Sequence, residues 1–165
     1  MIQSHQVVRC MILTVSATRT YENDLNGATM REQLEAHGHA VTEYQVCKDE
    51  YSSIQRWLKV AAARADIDAV LISGGTGIAI EDTTYEAVRD SLDKEMPGFG
   101  EIFRYLSFSE DIGTAAITSR AIAGVRDGKA IFSLPGTNRA VKLGMERIIV
   151  PELKNVVEEI LEGNR

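Results

Sequence analysis

The chain has 165 residues, of which 44% are hydrophobic and 25% charged, and its formal net charge is −6. That length and balance suit one domain with a buried core and a polar exterior. The acidic surplus argues against general nucleic-acid binding, which draws on a strong positive field, and no apolar run approaches the roughly 18 residues of a membrane span.

The first residues, Met1 to Gln6, lack the charged and apolar zones of a signal peptide. Cys10 and Cys47 lie far apart in strand-like segments, without a Cys or His at ligand spacing. They read as two reduced thiols of a cytoplasmic protein rather than as a metal site.

In chain order, Val7 to Val15 is apolar apart from Arg9 and reads as a first strand. A polar loop from Ser16 to Gly27 precedes a helix over Ala28 to His37, with Met30 and Leu34 on one face and Gly38 placed to end it. Ala40 to Val46 alternates loosely and reads as a second strand. Ser52 can cap a helix whose buried stripe is Ile54, Trp57, Leu58, Ala61 and Ala65. Val70 to Ile72 is a continuous apolar run, the mark of a buried parallel strand, and it breaks into Gly74, Gly75 and Gly77.

Beyond Asp82 a helix is expected over Thr84 to Leu92, then a break at Met96-Pro-Gly-Phe-Gly100. Two short helices are expected at Ile102 to Phe108 and Thr114 to Ala123. Gly124 to Lys129 reads as a hairpin around Asp127-Gly128, a pair that suits a type I′ turn. Ala130 to Leu134 is the last strand, and two helices close the chain, the second with Pro151 in its first turn. Alternating strands and helices predict a single-domain α/β fold of three layers, αβα, with a mostly parallel sheet and one antiparallel strand pair.

In an open sheet of this kind, ligands bind outside the carboxyl ends of the strands. Three such ends converge: Thr14 to Arg19 with Thr14 and Ser16, Ser73 to Gly77, and Leu134 to Asn138 with Pro135, Gly136 and Asn138. Gly74, Gly75, Thr76 and Gly77 form a turn whose backbone amides can approach a phosphate. The turn is neither a Walker motif, which needs a following Lys and Ser or Thr, nor a dinucleotide fingerprint. Asp82 follows at a distance that suits Mg²⁺ held between a carboxylate and phosphate oxygens. Asp49, after the second strand, should emerge on the same edge, while Asp24 reads as support for the first loop.

His5, His37 and His39 lie in a terminus or beside a helix-ending glycine, which leaves histidine-centred base chemistry without support. Arg19, Lys48, Arg104, Arg120, Arg139 and Lys142 are the cations available to an anion, Arg120 and Arg139 foremost. Phe99, Phe103 and Phe108 gather within ten residues, as core or as a subunit contact.

Gly74-Gly-Thr-Gly77 followed by Asp82 resembles the signature of the molybdenum-cofactor biosynthesis family that includes MogA and MoaB. Thr14-Val-Ser16 with Asp24 and Gly27, Met96 to Glu101, Thr118-Ser119-Arg120 and Leu134-Pro-Gly136 follow in the family's order, and Ala121 to Val125 is most similar to the MoaB branch. Asn26 departs from the pattern, which has a small hydroxyl residue before the glycine, and Glu81 adds a charge beside Asp82.

The resemblance implies a molybdopterin adenylyltransferase that moves AMP from ATP, as co-substrate, to molybdopterin. It implies a Mg²⁺ requirement, a homotrimer or dimer of trimers, and contact with other molybdenum cofactor biosynthesis proteins. Asp49 and Asp82 take the places of its catalytic, Mg²⁺-binding aspartates. The rival implied by the MoaB branch is an oligomeric paralogue that binds molybdopterin or its precursor without transferring AMP. A flavin-binding domain is a further rival, on the spaced hydroxyls of Thr14, Ser16, Thr18 and Thr20.

Overall fold

The structure is a computed structural model and describes residues 7–163, so His5 and the rest of Met1 to Gln6 lie outside the described residues. Six strands form one sheet in the order β2-β1-β3-β6-β5-β4. They are β1 (Arg9–Val15), β2 (Ala40–Cys47), β3 (Ala69–Ser73), β4 (Lys94–Glu95), β5 (Ile122–Arg126) and β6 (Lys129–Leu134). β2, β1, β3 and β6 pair in parallel, and β5 runs against β6 as expected. The two-residue β4, not foreseen, adds a second antiparallel pairing on the far side of β5.

Helices cover both faces. α1 (Leu25–Ala36), α4 (Pro97–Ser107), α5 (Asn138–Gly144) and α6 (Val150–Gly163) lie on one, and α2 (Tyr51–Ala63) and α3 (Thr84–Ser91) on the other. The strands alternate accordingly: Ile12, Leu71 and Phe132 face the first set, and Leu13, Ile72 and Ile131 the second. Every residue of β3 is buried, which is why its sequence is continuously apolar rather than alternating. Burying each large side chain in such a strand contributes about 1.5–3 kcal/mol. The central strands are therefore a stiff base for whatever their ends carry.

Several boundaries differ from the sequence reading, each for a local reason. α1 begins at Leu25 rather than Ala28, because the buried Asp24 accepts a hydrogen bond from the Gly27 amide and caps the helix a turn earlier. α2 is preceded by Glu50, not capped by Ser52, and it ends before the exposed Ala65. The helix expected over Thr114 to Ala123 is absent. A π-helical turn (Phe108–Ile112) leads into a 3₁₀ segment (Gly113–Thr118), and Ile122 already belongs to β5. Pairing with β6 claims Ile122 and Ala123 for the sheet, and the part that stays helical, Gly113–Thr118, is a short 3₁₀ segment.

The hairpin at Asp127-Gly128 is as read: φ is +46° and +77° at the two residues, and Arg126 pairs with Lys129. The phenylalanine cluster divides. Phe99 and Phe103 pack in the core, Phe99 edge-on to Phe132, while Phe108 is exposed. Pro151 sits in the first turn of α6, immediately after a π-helical turn (Met145–Ile149) that connects it to α5.

Candidate functional site

The register of the parallel strands brings the three expected loops side by side. Thr14 of β1 pairs with Ser73 of β3, and Ser73 with Leu134 of β6, so all three strands end at one level. The Gly74 amide donates to the Leu134 carbonyl at 3.0 Å, and Ser16 N donates to Cys47 O at 2.9 Å. Because β5 runs the other way, its leading residues Ser119 and Arg120 come to the same edge. Arg120 N donates to Thr76 O at 3.2 Å.

The glycines of the turn have no room for a side chain. At Gly75 φ is +68°, and a Cβ would lie 2.0 Å from Thr84 Oγ1 and 2.7 Å from Asp49 Oδ2. At Gly77 a Cβ would meet Asp82 Oδ2 at 2.6 Å. The two aspartates thus lie directly against the turn. Asp49 Oδ1 accepts from Thr83 N and Oγ1, at 3.1 and 2.7 Å, and so fixes the start of α3. Asp82 Oδ2 accepts from Ala79 N at 3.0 Å. Among the described residues each carboxylate keeps one oxygen, Asp49 Oδ2 and Asp82 Oδ1, without a hydrogen-bond donor.

Two cavities open on this edge and meet at Gly75, Asp82 and Gly136. The larger, about 650 Å³, lies over β1 and the turn. Thr14, Ser16 and Gly74 line it together with Asp49 and Asp82, and its cations are Arg19 and Lys48. Among the described residues the Thr14 hydroxyl and Arg19 Nη1 are both buried without a hydrogen bond, Arg19 having only the longer ion pair to Asp24. Orphaned polar groups of this kind cost free energy unless a ligand or water completes them.

The smaller cavity, about 370 Å³, lies between the turn, the Pro135-Gly136 loop and the π-helical turn after α4. Thr76, Gly77, Ser119 and Pro135 line it, and the Ser119 hydroxyl is another buried orphan.

Some expected site residues have other work. The Arg120 guanidinium donates to the Gly77 carbonyl (2.9 Å from Nε), pairs with Glu86 and lies 4.8 Å over the Tyr85 ring. It lines neither cavity and braces the glycine turn against α3. Hydrogen bonding to it holds the Glu86 carboxyl below the usual carboxylate range. Arg104 is likewise spent, on the Ala121 carbonyl at 3.1 Å. Asn138 Nδ2 bridges to Asn26 Oδ1 and Thr29 Oγ1, at 3.2 and 3.0 Å, and positions α5 on α1 instead of facing a cavity.

Other residues acquire roles the sequence left unassigned. Asn26 lines the larger cavity, and its Nδ2 donates to the Gly136 carbonyl at 2.7 Å, tying the first loop to the last. Its departure from the family pattern was the available signal. Asp24 supports the first loop as expected: it caps α1, accepts from the Tyr44 hydroxyl and lies 3.8 Å from Arg19 Nη1. Asp111, for which the sequence offered no motif, borders the smaller cavity.

The residues suit Mg²⁺ without forming a cage for it. Among the described residues no group of three or more His, Cys, Asp or Glu is arranged to hold a metal ion. One or two carboxylates with free oxygens are what Mg²⁺ takes when substrate phosphates complete its shell. Among the described residues no helix is long and apolar enough to cross a membrane.

Comparison with known proteins gives a family match along most of the chain. Residues 11–155 match the family described as "Probable molybdopterin binding domain". The chain is 74% identical over 160 residues to a molybdenum cofactor biosynthesis protein B of Halalkalibacterium halodurans, covering 97% of this chain and 94% of the relative. A protein of the same description from Bacillus subtilis is 50% identical over 96% of each chain. Among solved structures, a molybdenum cofactor biosynthesis protein B superposes with a TM-score of 0.94 at 46% identity, over 97% of this chain and 99% of that one. The tungsten cofactor synthesizing protein MoaB of Pyrococcus furiosus does so at 0.84 and 32%, over 94% and 98%.

Proposed function

This chain belongs to the molybdopterin-binding family of molybdenum cofactor biosynthesis, and on that premise we propose that it transfers AMP from Mg-ATP to molybdopterin, releasing pyrophosphate. The observation that supports this most directly is the pair of cavities that meet at Gly75, Asp82 and Gly136. A transferase for two bulky substrates needs two compartments with the reacting atoms at their junction.

The chemistry asks little of a general base. The terminal phosphate of molybdopterin is already largely ionised near neutral pH, and one of its oxygens attacks the α-phosphorus of ATP. The bond from that phosphorus to the β-phosphate oxygen breaks, and both electrons leave with pyrophosphate. The difficulty is the repulsion between two anions and the charge on the leaving group.

Backbone amides of Gly75, Thr76 and Gly77 donate to the phosphates, and Lys48 and Arg19 supply positive charge in the larger cavity. Thr14 and Ser16 offer hydroxyls on its wall. Mg²⁺ held by Asp49 and Asp82 would neutralise phosphate charge at the junction. Arg120 acts indirectly, by holding the carbonyl side of the turn so that its amides face the cleft.

The exposed apolar residues Ile102, Tyr105, Phe108 and Ile112 recur along α4 and the turn that follows. They offer a face for self-association into the trimer or dimer of trimers.

The test is pyrophosphate release on incubating the protein with molybdopterin, ATP and Mg²⁺. Wild type releases pyrophosphate. Asp82→Asn releases none, while its thermal unfolding stays within about 2 °C of wild type because the carboxylate is partly exposed. Absence of pyrophosphate with wild type refutes the transferase reading, and near-normal turnover in Asp82→Asn removes that residue from the reaction.

A further inference from the structure

Thr83 lines neither cavity at this edge, yet its side chain is committed to a carboxylate that lines one of them. It occupies the N-cap position of α3, where a threonine hydroxyl ordinarily accepts from an amide of the first helical turn. Here the side chain makes no capping hydrogen bond. Its hydroxyl turns away from the helix and donates to Asp49 Oδ1 at 2.7 Å, and the Thr83 amide donates to the same oxygen at 3.1 Å. The next amide, Thr84 N, donates to the Gly75 carbonyl at 3.1 Å, so the helix start is held without the hydroxyl. Capping does not account for it.

Two donors on Oδ1 leave Asp49 only Oδ2 for a ligand. That oxygen lies against the glycine turn, 2.7 Å from where a Cβ on Gly75 would stand. Asp82 has the same form, with Oδ2 occupied by the Ala79 amide at 3.0 Å. Its holder is a backbone amide, which no side-chain substitution removes. Each carboxylate is thus presented as a one-oxygen ligand. Thr83 also follows Asp82 directly in the chain, so one residue ties the two carboxylates together.

One-oxygen carboxylates distinguish between hard cations. Mg²⁺ demands near-ideal octahedral geometry at short distances, which a carboxylate bound through both oxygens distorts. Ca²⁺ takes about six to eight oxygens in flexible geometry and accepts carboxylates through one oxygen or both. We propose that Thr83 is a positioning residue that makes Asp49 a one-oxygen ligand and thereby sets the preference of the site for Mg²⁺ over Ca²⁺. This rests on the reading of Asp49 and Asp82 as the Mg²⁺-holding pair and goes beyond it by naming what selects the ion.

The experiment is metal binding to the full chain in the presence of α,β-methylene-ATP, whose replaced bridging oxygen prevents pyrophosphate release. Mn²⁺ is followed by electron paramagnetic resonance, and Mg²⁺ and Ca²⁺ by their competition with it. Wild type binds Mg²⁺ more tightly than Ca²⁺. Thr83→Val keeps the shape and removes the hydroxyl. It weakens Mg²⁺ about tenfold and Ca²⁺ by less than about threefold, the scale of loss when a hydrogen-bond partner of a metal-binding carboxylate is removed. Thr83→Ser keeps the hydroxyl and retains the wild-type preference. In an Asp49→Asn background Thr83→Val changes Mg²⁺ affinity less than about twofold, because its effect runs through the carboxylate. Thr83→Ala removes the same hydroxyl and gives the same loss, so the comparison survives if Thr83→Val does not fold.

Equal affinity of wild type for Mg²⁺ and Ca²⁺ overturns the proposal without any variant. So does an unchanged ratio in Thr83→Val, or a ratio lost equally in Thr83→Ser, which would place the effect in side-chain packing. A purely structural threonine would lower the melting temperature and leave the ratio alone. None of these readouts depends on AMP transfer, so failure of pyrophosphate release leaves the Thr83 assignment standing. Mn²⁺ binding with an ion preference indifferent to Thr83 removes the assignment and leaves the transferase reading standing. Absence of Mn²⁺ binding by wild type overturns the assignment together with the Asp49–Asp82 metal pair.

Discussion

Substituting Gly75 by alanine probes the claim that the glycine turn is shaped by what lies against it. Two costs add. The first is backbone strain, since φ is +68° and an L residue in the left-handed region costs about 1–2 kcal/mol. Reduced freedom of the unfolded chain returns about 0.4–1 kcal/mol of this. The second is steric: the new methyl would sit 2.0 Å from Thr84 Oγ1 and 2.7 Å from Asp49 Oδ2.

Thr84 is fully buried, so it cannot swing aside, and overpacking at such a site costs about 1–3 kcal/mol. Gly38 supplies the control. Its φ is +81°, but a Cβ there meets nothing within 4 Å, so Gly38→Ala carries the backbone cost alone. Urea unfolding at one fixed protein concentration should show Gly38→Ala destabilised by about 1 kcal/mol and Gly75→Ala by about 2–4 kcal/mol. In melting temperature, at about 2–4 °C per kcal/mol, the difference between the variants is several degrees. Gly75→Ala should also displace Asp49 and lose pyrophosphate release, whereas Gly38→Ala retains it. Equal stability of the two variants would refute the steric account of the turn.

Two further outcomes are expected from the charges and thiols. Glu86 is held below its ordinary range of about 4.5 by Arg120, so its contribution is present above that pH and fades as the pH falls through the depressed folded value. The stability difference between wild type and Glu86→Gln should therefore shrink between pH 7 and about pH 3, measured by urea unfolding; a difference independent of pH would show that the pair contributes no ionic stabilisation.

Burial pushes the Cys10 thiol up to about 12 and the Cys47 thiol up to about 11, with Asp68 and Asp49 respectively adding to the effect. Iodoacetamide at about pH 8 should label the partly exposed Cys47 slowly and Cys10 only after unfolding, as read by mass spectrometry. Equal labelling rates in the native protein would contradict that order.

The sequence alone determined the fold class, the order of the principal elements and the edge on which the site lies. It could do so because these are local or periodic signals. The continuous apolar run of Val70 to Ile72 can only be buried on both faces, and glycines at its end mark a strand-to-helix turn. Asp127-Gly128 specifies a type I′ hairpin by its backbone alone. That Thr14, Ser16, Asp49 and Asp82 gather at one cavity was legible because parallel strands deliver their ends to one edge.

What only tertiary structure decided is which polar residues face the cleft and which hold it together. Arg120 and Asn138 sit in motif-like surroundings, yet their donors are consumed by carbonyls and side chains of neighbouring elements. Arg19 and Lys48, unremarkable in the sequence, are the cations that line the larger cavity. The expected hairpin strand extends back over Ile122 and Ala123, the last two residues of an expected helix, because β6 pairs with them across the hairpin.

Asp111 shows the limit most clearly. Nothing in Ser109 to Ile112 marks a cavity-lining residue, and its place follows from a π-helical turn and an ion pair to Arg139, distant in sequence. Local spacing names the residues that can bind. Long-range packing determines which of them face the cleft and which are consumed in holding it together.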